Sequence, residues 1–138
     1  MTAFGAGDLA LRAVLALLTT YHVGVGVVSV LSPSAAMRVS SRLYGTTVAG
    51  TPQLRYGVRM LGLYALALGS LLALATSSPA EYRAVIVVAA GLQLARAACR
   101  VVLRHELAAG FRVPAKRNYL NASLLVAEAA VLLIALPR

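Results

Sequence analysis

The sequence predicts an all-α integral membrane protein folded as a four-helix bundle. Hydrophobic residues make up 60% of the 138 residues and charged residues only 12%, which is too apolar for an ordinary soluble domain of this size. Four apolar segments approach the roughly 20 residues that a membrane-crossing helix needs, and their alanine and leucine content favours helices over barrel strands. These segments, which together form one membrane domain, are residues 10–31, 56–75, 82–103 and 119–136.

The first segment carries nearly all of its polar residues on one stripe. The stripe recurs at spacings of four and three residues and contains Asp8, Arg12, Leu15, Thr19, His22, Gly26 and Ser29. Because lipid cannot solvate polar groups, we expect this stripe to face protein or a wet cavity.

The connection after the first segment contains a further short helix. Ser32-Pro33 is typical of a helix start and Gly45 of a helix end, on either side of SAAMRVSSRLY. Arg38 and Arg42 share one face of this helix, and apolar residues share another. The pattern fits an amphipathic helix lying in the membrane interface, and it fits a solvated turn of helix equally well.

Small residues repeat along one face of the second segment, at a spacing that lets two helices approach closely. This face consists of Arg59, Gly62, Leu66, Gly69 and Ala73. We expect Gly62, Gly69 and Ala73 to pack against another helix of this chain, of a second copy or of a partner subunit. Tyr64 lies on a different face, where it is either a candidate pocket residue or a plain contact between helices.

The third segment has a capped start and a basic stripe. Its start reads Ser78-Pro79-Ala80-Glu81, typical of a capping box, and its stripe contains Gln93, Arg96, Arg100 and Arg104. Arg100 and Arg104 lie near the end of the segment, where long side chains reach the lipid headgroups. Arg96 lies roughly 10 Å below that end, where an unpaired charge costs about 3 kcal/mol on insertion scales.

The fourth segment supplies a partner for Arg96. Glu128 is its only acidic residue, and Asn121 lies two turns away on the same face. Counted from the segment ends, His22, Gln93, Arg96 and Glu128 fall at one level, roughly 10–15 Å deep. Two interpretations stay open: a structural Arg96–Glu128 pair that fixes helix register, or a cluster that lines a ligand cavity.

Lysine and arginine residues cluster in the first and third connections. That side holds Arg38, Arg42, Arg55, Arg59, Arg100, Arg104, Arg112, Lys116 and Arg117, and the other side holds Arg12, Arg83 and Arg138. Because positive residues stay cytoplasmic, we predict a cytoplasmic-membrane protein with both termini outside. This asymmetry accounts for most of the net charge of +9 without an anionic partner such as nucleic acid, and contact with anionic membrane lipids is a secondary use of the same surface.

The residues at the predicted level define candidates for chemistry. Glu128 and His22 are the candidate catalytic residues, because both can transfer protons. The candidate substrate-binding residues are Arg96, Gln93, Tyr21, Tyr64, Asn121 and Arg59. A single Cys99 and two separated histidines predict no metal site, and with no cofactor-binding motif in the sequence we expect no cofactor.

Two stretches of the chain resemble the DoxX-like group of small bacterial four-helix membrane proteins. They are LSPSAAMRVSSRLYG, after the first segment, and YGVRMLGLYALALG, at the start of the second. The resemblance implies a four-helix fold in a bacterial membrane. It transfers no catalytic residue, because that group mixes redox-associated subunits with small-molecule enzymes and other proteins.

Two functions fit these features. The first is binding of a lipophilic small molecule in an intramembrane polar pocket, with cofactor-free acid–base conversion as a further step, as in an isomerase, a cyclase or a hydrolase that opens an epoxide. The second is a non-enzymatic accessory or scaffold subunit that docks through Gly62, Gly69 and Ala73. Ion transport is disfavoured, because the outer halves of the second and fourth segments are too apolar for a polar route.

Overall fold

The part of the chain that the structure describes is all-α, and four of its helices are long and apolar enough to cross a membrane. The structure is a computed structural model that describes residues 6–45 and 50–137. Arg138, counted above for topology, lies outside these ranges. The helices are α1 Ala6–Leu31, α2 Pro33–Tyr44, α3 Pro52–Ser77, α4 Arg83–Val102, α5 Arg104–Phe111 and α6 Ala115–Ile134.

The candidate spans are α1, α3, α4 and α6, which confirms the predicted membrane bundle. Each coincides with one predicted segment. The largest shifts lie at helix starts, as at α3, which begins at Pro52 and not at residue 56. Thr51 explains this early start, because its hydroxyl accepts a hydrogen bond from the Leu54 N–H at 3.2 Å.

The start of α4 differs from the prediction. Ser78 forms no capping box; its N–H donates to the Leu74 carbonyl at 3.1 Å, so it closes α3 instead. Residues 79–82 form turns, and the regular helix begins at Arg83. A serine between two helices can cap the end of the first or the start of the second, and here Ser78 is the C-cap of α3.

The short helix predicted in the first connection is present as α2. Gly45 ends it in the left-handed conformation, with φ 70°, and donates its N–H to the Ser41 carbonyl at 2.8 Å. Glycine adopts this conformation without strain. Helix α5 was not predicted. Glycine often follows the end of a helix, but Gly110 lies inside this one. Arg112 ends the helix at φ 53°, a conformation uncommon for a residue with a side chain.

The four spans pack as two close pairs, α1 with α3 and α4 with α6. Glycines allow the first pair to approach closely. A Cβ added to Gly26 would lie 2.9 Å from the Gly62 carbonyl oxygen, and one added to Gly62 would lie 2.7 Å from the Ser29 Cβ. A Cβ added to Gly69 would lie 2.8 Å from the Val23 Cγ2. The stripe of α1 that holds Gly26 and Ser29 therefore faces protein, as predicted.

The small-residue face of α3 is thus used inside the chain. Gly62 and Gly69 are buried against α1, so they are not open to a second copy or a partner subunit. Ala73, assigned to the same face, is exposed. Towards its end α3 buries Leu72 and Ala75 in a core shared with α1 and α4, which turns Ala73 outward.

The apolar core fills one end of the bundle. All four spans contribute to it through Leu11, Leu15, Leu18, Leu72, Ala75, Ile86, Ala89, Ala90, Ala129 and Leu132. At the same end, Arg12 pairs with Asp8 at 3.2 Å and donates to the Thr76 carbonyl at 3.0 Å. The helices α2 and α5 lie at the opposite end, so an ion path through the bundle would have to cross this core.

Replacing Gly69 by alanine is expected to destabilise the α1–α3 pair. The new Cβ would meet Val23 Cγ2 at 2.8 Å and the Val23 backbone nitrogen at 3.0 Å. Overpacking of this kind costs about 1–3 kcal/mol, more than the ~1 kcal/mol that alanine gains over glycine in a helix. Reversible unfolding in mixed micelles measures the change.

The matched control is Gly91→Ala on α4, where an added Cβ meets nothing within 4 Å. This variant is expected to be as stable as wild type or more so. Equal losses of stability in the two variants would show that the close α1–α3 contact is not what Gly69 supports.

Candidate functional site

Side chains of α1, α4 and α6 form a polar cluster in the half of the bundle opposite the apolar core. This deep cluster consists of His22, Gln93, Arg96 and Glu128. Gln93, only 3% exposed, donates from its Nε2 to the Glu128 Oε2, and its Oε1 accepts from the Arg96 Nη1 at 3.0 Å. The amide therefore lies between the guanidinium and the carboxylate.

Arg96 and Glu128 do not form the direct ion pair considered in the sequence analysis. No nitrogen of Arg96 lies within 4.0 Å of a Glu128 oxygen, whereas the Arg12 Nε lies 3.2 Å from the Asp8 Oδ2. The reason is the position of Gln93, one turn before Arg96 on α4. Its amide accepts from one group and donates to the other, so it links the two groups without a direct contact between them.

His22 joins the deep cluster from α1. Its side chain is 7% exposed, and its Nδ1 lies 2.8 Å from the Leu18 carbonyl oxygen. Because a carbonyl oxygen only accepts, Nδ1 carries a hydrogen, and in the neutral ring Nε2 keeps the lone pair. The ring lies within range of the charges of Arg96 and Glu128, although its direct contacts are with Leu18 and Tyr21.

A second polar group lies one turn closer to the C-terminal end of α4. This end cluster consists of Tyr21, Tyr44, Arg100 and Asn118. The Tyr21 and Tyr44 hydroxyl oxygens are 2.8 Å apart, and the Arg100 guanidinium lies 5.2 Å from the centre of the Tyr44 ring, a cation–π distance. Tyr21 also meets the His22 ring edge-on, with ring centres 5.1 Å apart, so the two clusters adjoin.

Asn118 completes the end cluster from α6. It accepts from the Arg100 Nη1 at 3.2 Å and donates back to the Arg100 carbonyl at 2.7 Å. Nearby, the Arg117 Nη1 donates to the Arg42 carbonyl at 3.2 Å. Through these contacts and the tyrosine pair, α2 is tied to α1, α4 and α6.

Sequence reasoning missed three of these residues: Tyr44, Arg100 and Asn118. Spacing along α4 assigns Arg100 to the headgroups alone. The other two could have been found from their positions in the helices. Tyr44 is the last residue of an amphipathic helix, and Asn118 lies in the first turns of a span. Each therefore carries a polar group to the end of the bundle where Arg100 lies.

Three candidate binding residues lie outside both clusters. Tyr64 on α3 is 73% exposed at the outer surface, and Arg59 is exposed on the same helix. Asn121 is half-buried on α6, one turn after Asn118, and its side chain forms no hydrogen bond within the described ranges. The polar site of this chain is therefore centred on α1, α2, α4 and α6, and α3 contributes no side chain to either cluster.

An apolar cavity of about 490 Å³ lies beneath α2 and is partly open. This cavity under α2 is enclosed by α1, α2, the first half of α3 and Phe111 of α5. Its volume is that of an ordinary small-molecule pocket. The apolar side chains of its walls include Val25, Val28, Val39, Leu43 and Leu61, and Tyr21 and Tyr44 form part of one wall.

The tyrosine pair supplies a polar contact at this wall. One hydroxyl donates to the other, which leaves one hydroxyl hydrogen that no other group in the described ranges accepts. Burial, together with the hydrogen bond to Tyr21, raises the pKa of Tyr44 to about 12, against the opposing charges of Arg96 and Arg100. Tyr44 is therefore neutral near pH 7 and acts as a hydrogen-bonding group.

These features define a four-span membrane protein. Its interior is an apolar core at one end, and the two polar clusters and the cavity under α2 lie towards the other end. Comparison of the chain with family models, with curated proteins and with solved structures found no match. Its function is therefore inferred from the two clusters and the cavity under α2.

Proposed function

We propose that the protein binds a lipophilic small molecule in the cavity under α2 and converts it by cofactor-free acid–base chemistry. One observation carries the proposal: apolar walls are combined with a hydroxyl hydrogen of the Tyr21–Tyr44 pair that has no acceptor among the described residues. Small-molecule sites commonly combine a mostly apolar lining with a few polar groups. The suited ligand is lipophilic and carries an acceptor oxygen, such as that of a carbonyl, an ether or an epoxide.

The rim of the cavity supports entry from the membrane. Val39, Leu43 and Leu61 line the cavity and are also substantially exposed. Exposed apolar side chains of a membrane bundle face lipid tails, so the open side of the cavity is continuous with apolar surface. A lipophilic molecule can then reach the tyrosine pair without leaving an apolar environment.

The deep cluster supports the conversion step indirectly. Neither Glu128 nor His22 lines the cavity, whereas Tyr21 and Tyr44 do, so the tyrosine pair stands between the ligand and the deep cluster. His22 packs against Tyr21, and Glu128 is linked to Arg96 through Gln93. A hydrogen bond from the pair to the ligand oxygen polarises the carbon–oxygen bond, while His22 positions Tyr21 and Glu128 offsets the charge of Arg96, which acts on Tyr44.

The alternative of an accessory subunit has less support. Its docking face was expected at Gly62, Gly69 and Ala73, and the two glycines already pack against α1. A partner helix on this face would have to separate α1 from α3.

Filling the cavity is expected to block binding. Gly24 lines the cavity, and a Cβ added there meets nothing within 4 Å, so Gly24→Leu starts a side chain in open space at the cavity wall. We expect affinity for a long-chain methyl ketone to fall about tenfold or more, or ~1.4 kcal/mol. Native mass spectrometry of the detergent-purified protein with added ketone measures bound fractions.

The control for cavity filling is Gly91→Leu on α4, another glycine with open space that does not line the cavity. It should bind the ketone as wild type does. Undiminished binding by Gly24→Leu would refute the assignment of the cavity.

Conversion is tested separately by Glu128→Gln. Glutamine keeps an acceptor oxygen for Gln93, so the variant is expected to fold and to retain ligand while losing turnover. Mass spectrometry of lipid extracts compares cells making wild type, Glu128→Gln and the control Glu106→Gln, which changes an exposed carboxylate on α5. A product that accumulates equally with all three proteins would exclude a role for Glu128 in conversion.

A further inference from the structure

We propose that the ligand is a single-chain lipid with a phosphate head, and that the head binds in a second pocket on the basic side of α2. The inference rests on the proposed function, because the lipid chain would occupy the cavity under α2. The second pocket, here called the basic pocket, has a volume of about 450 Å³. Its lining includes Ser34, Met37, Arg38, Ser41, Arg42 and Arg55.

The helix α2 is the wall between the two pockets. Met37 and Ser41 line both of them. Arg38 and Arg42 line only the basic pocket, whereas Leu43, like other apolar residues of α2, lines only the cavity. An amphiphile lying across the Met37–Ser41 edge would therefore meet arginines with its head and an apolar cavity with its chain.

The charge of the basic pocket is uncompensated. The chain contains four acidic residues, and none of their carboxylates lies within 4.0 Å of Arg38, Arg42 or Arg55. Three guanidinium groups around one pocket repel each other, and a bound anion reverses that repulsion. Guanidinium groups also match phosphate oxygens with paired hydrogen bonds, and the Ser34 hydroxyl adds another donor at the same pocket.

The position of the basic pocket fits a lipid head. Arg55 lies in the first turn of α3, and Ser34 lies just after the end of α1. The pocket is thus at the ends of two spans, where phosphates of a bilayer lie. The cavity extends from there along the spans to Gly24 and Tyr21 of α1, as a chain entering between lipid tails would require.

The test compares lysophosphatidic acid with the monoacylglycerol of the same acyl chain, which lacks only the phosphate. Native mass spectrometry of the full-length protein in detergent measures both affinities. We expect wild type to prefer lysophosphatidic acid about tenfold or more, and we expect the preference to weaken as salt is raised. Inorganic phosphate is the third compound tested. At the same concentration as lysophosphatidic acid it should not displace that lipid, because it lacks the acyl chain.

The triple variant Arg38→Gln, Arg42→Gln, Arg55→Gln should lose this preference and keep its affinity for monoacylglycerol. All three side chains are exposed, so folding should survive; Arg55→Gln alone, with a smaller loss of preference, is the second variant. The matched control removes the same charge outside the basic pocket, as Arg104→Gln, Arg112→Gln, Lys116→Gln. It should retain the preference.

The outcomes separate this inference from the proposed function. If monoacylglycerol binds and Gly24→Leu blocks it, but wild type shows no preference for the phosphate, the function stands and the headgroup site is wrong. An equal loss in the two triple variants would also overturn the site, because surface charge alone would then explain the preference. If neither lipid binds, or Gly24→Leu leaves binding intact, the proposed function itself fails.

Discussion

Hydrocarbon supplies no hydrogen-bond partners inside a bilayer, so a charged side chain there is stabilised by polar groups of the protein. Arg96 and Glu128 meet this constraint through Gln93, whose amide accepts from one and donates to the other. Because Arg96 and Gln93 belong to α4 and Glu128 to α6, the same contact fixes the register of that helix pair. In the other pair, glycine contacts such as that of Gly62 with α1 fix the spacing of α1 and α3. The cavity lies where the α1–α3 pair meets α2, and the end cluster joins α2 to both pairs.

The resulting molecule divides into two ends with different chemistry. One end is closed by leucine and alanine from all four spans. At the other, α2 folds back over the bundle and presents an apolar face to the cavity and an arginine face to the basic pocket. The tyrosine pair links this helix to the deep cluster, since Tyr44 bonds to Tyr21 and Tyr21 packs on His22. The wall of the cavity under α2 and the deep cluster are therefore joined by direct contacts.

Periodicity and helical rise predicted much of this arrangement. Segment lengths gave the four spans, and counting residues from their ends placed His22 and Glu128 at one level. Spacing did not reveal that Gln93 would separate Arg96 from Glu128, because that depends on side-chain rotamers. Nor could it choose a partner for Gly62, since a small-residue face accepts any helix that approaches closely. The end cluster and the cavity could not be predicted from the sequence, because both depend on how α2 packs against the spans.

The most direct test of the central contact is a double-mutant cycle in mixed micelles with Gln93→Leu, Glu128→Leu and the double variant. If the amide carries the link between α4 and α6, the two changes should couple by about 1 kcal/mol or more. A parallel cycle of Gln53→Leu with Glu128→Leu is the control, because Gln53 is exposed at the start of α3. Additivity of Gln93→Leu and Glu128→Leu to within about 0.3 kcal/mol would contradict the role given to Gln93.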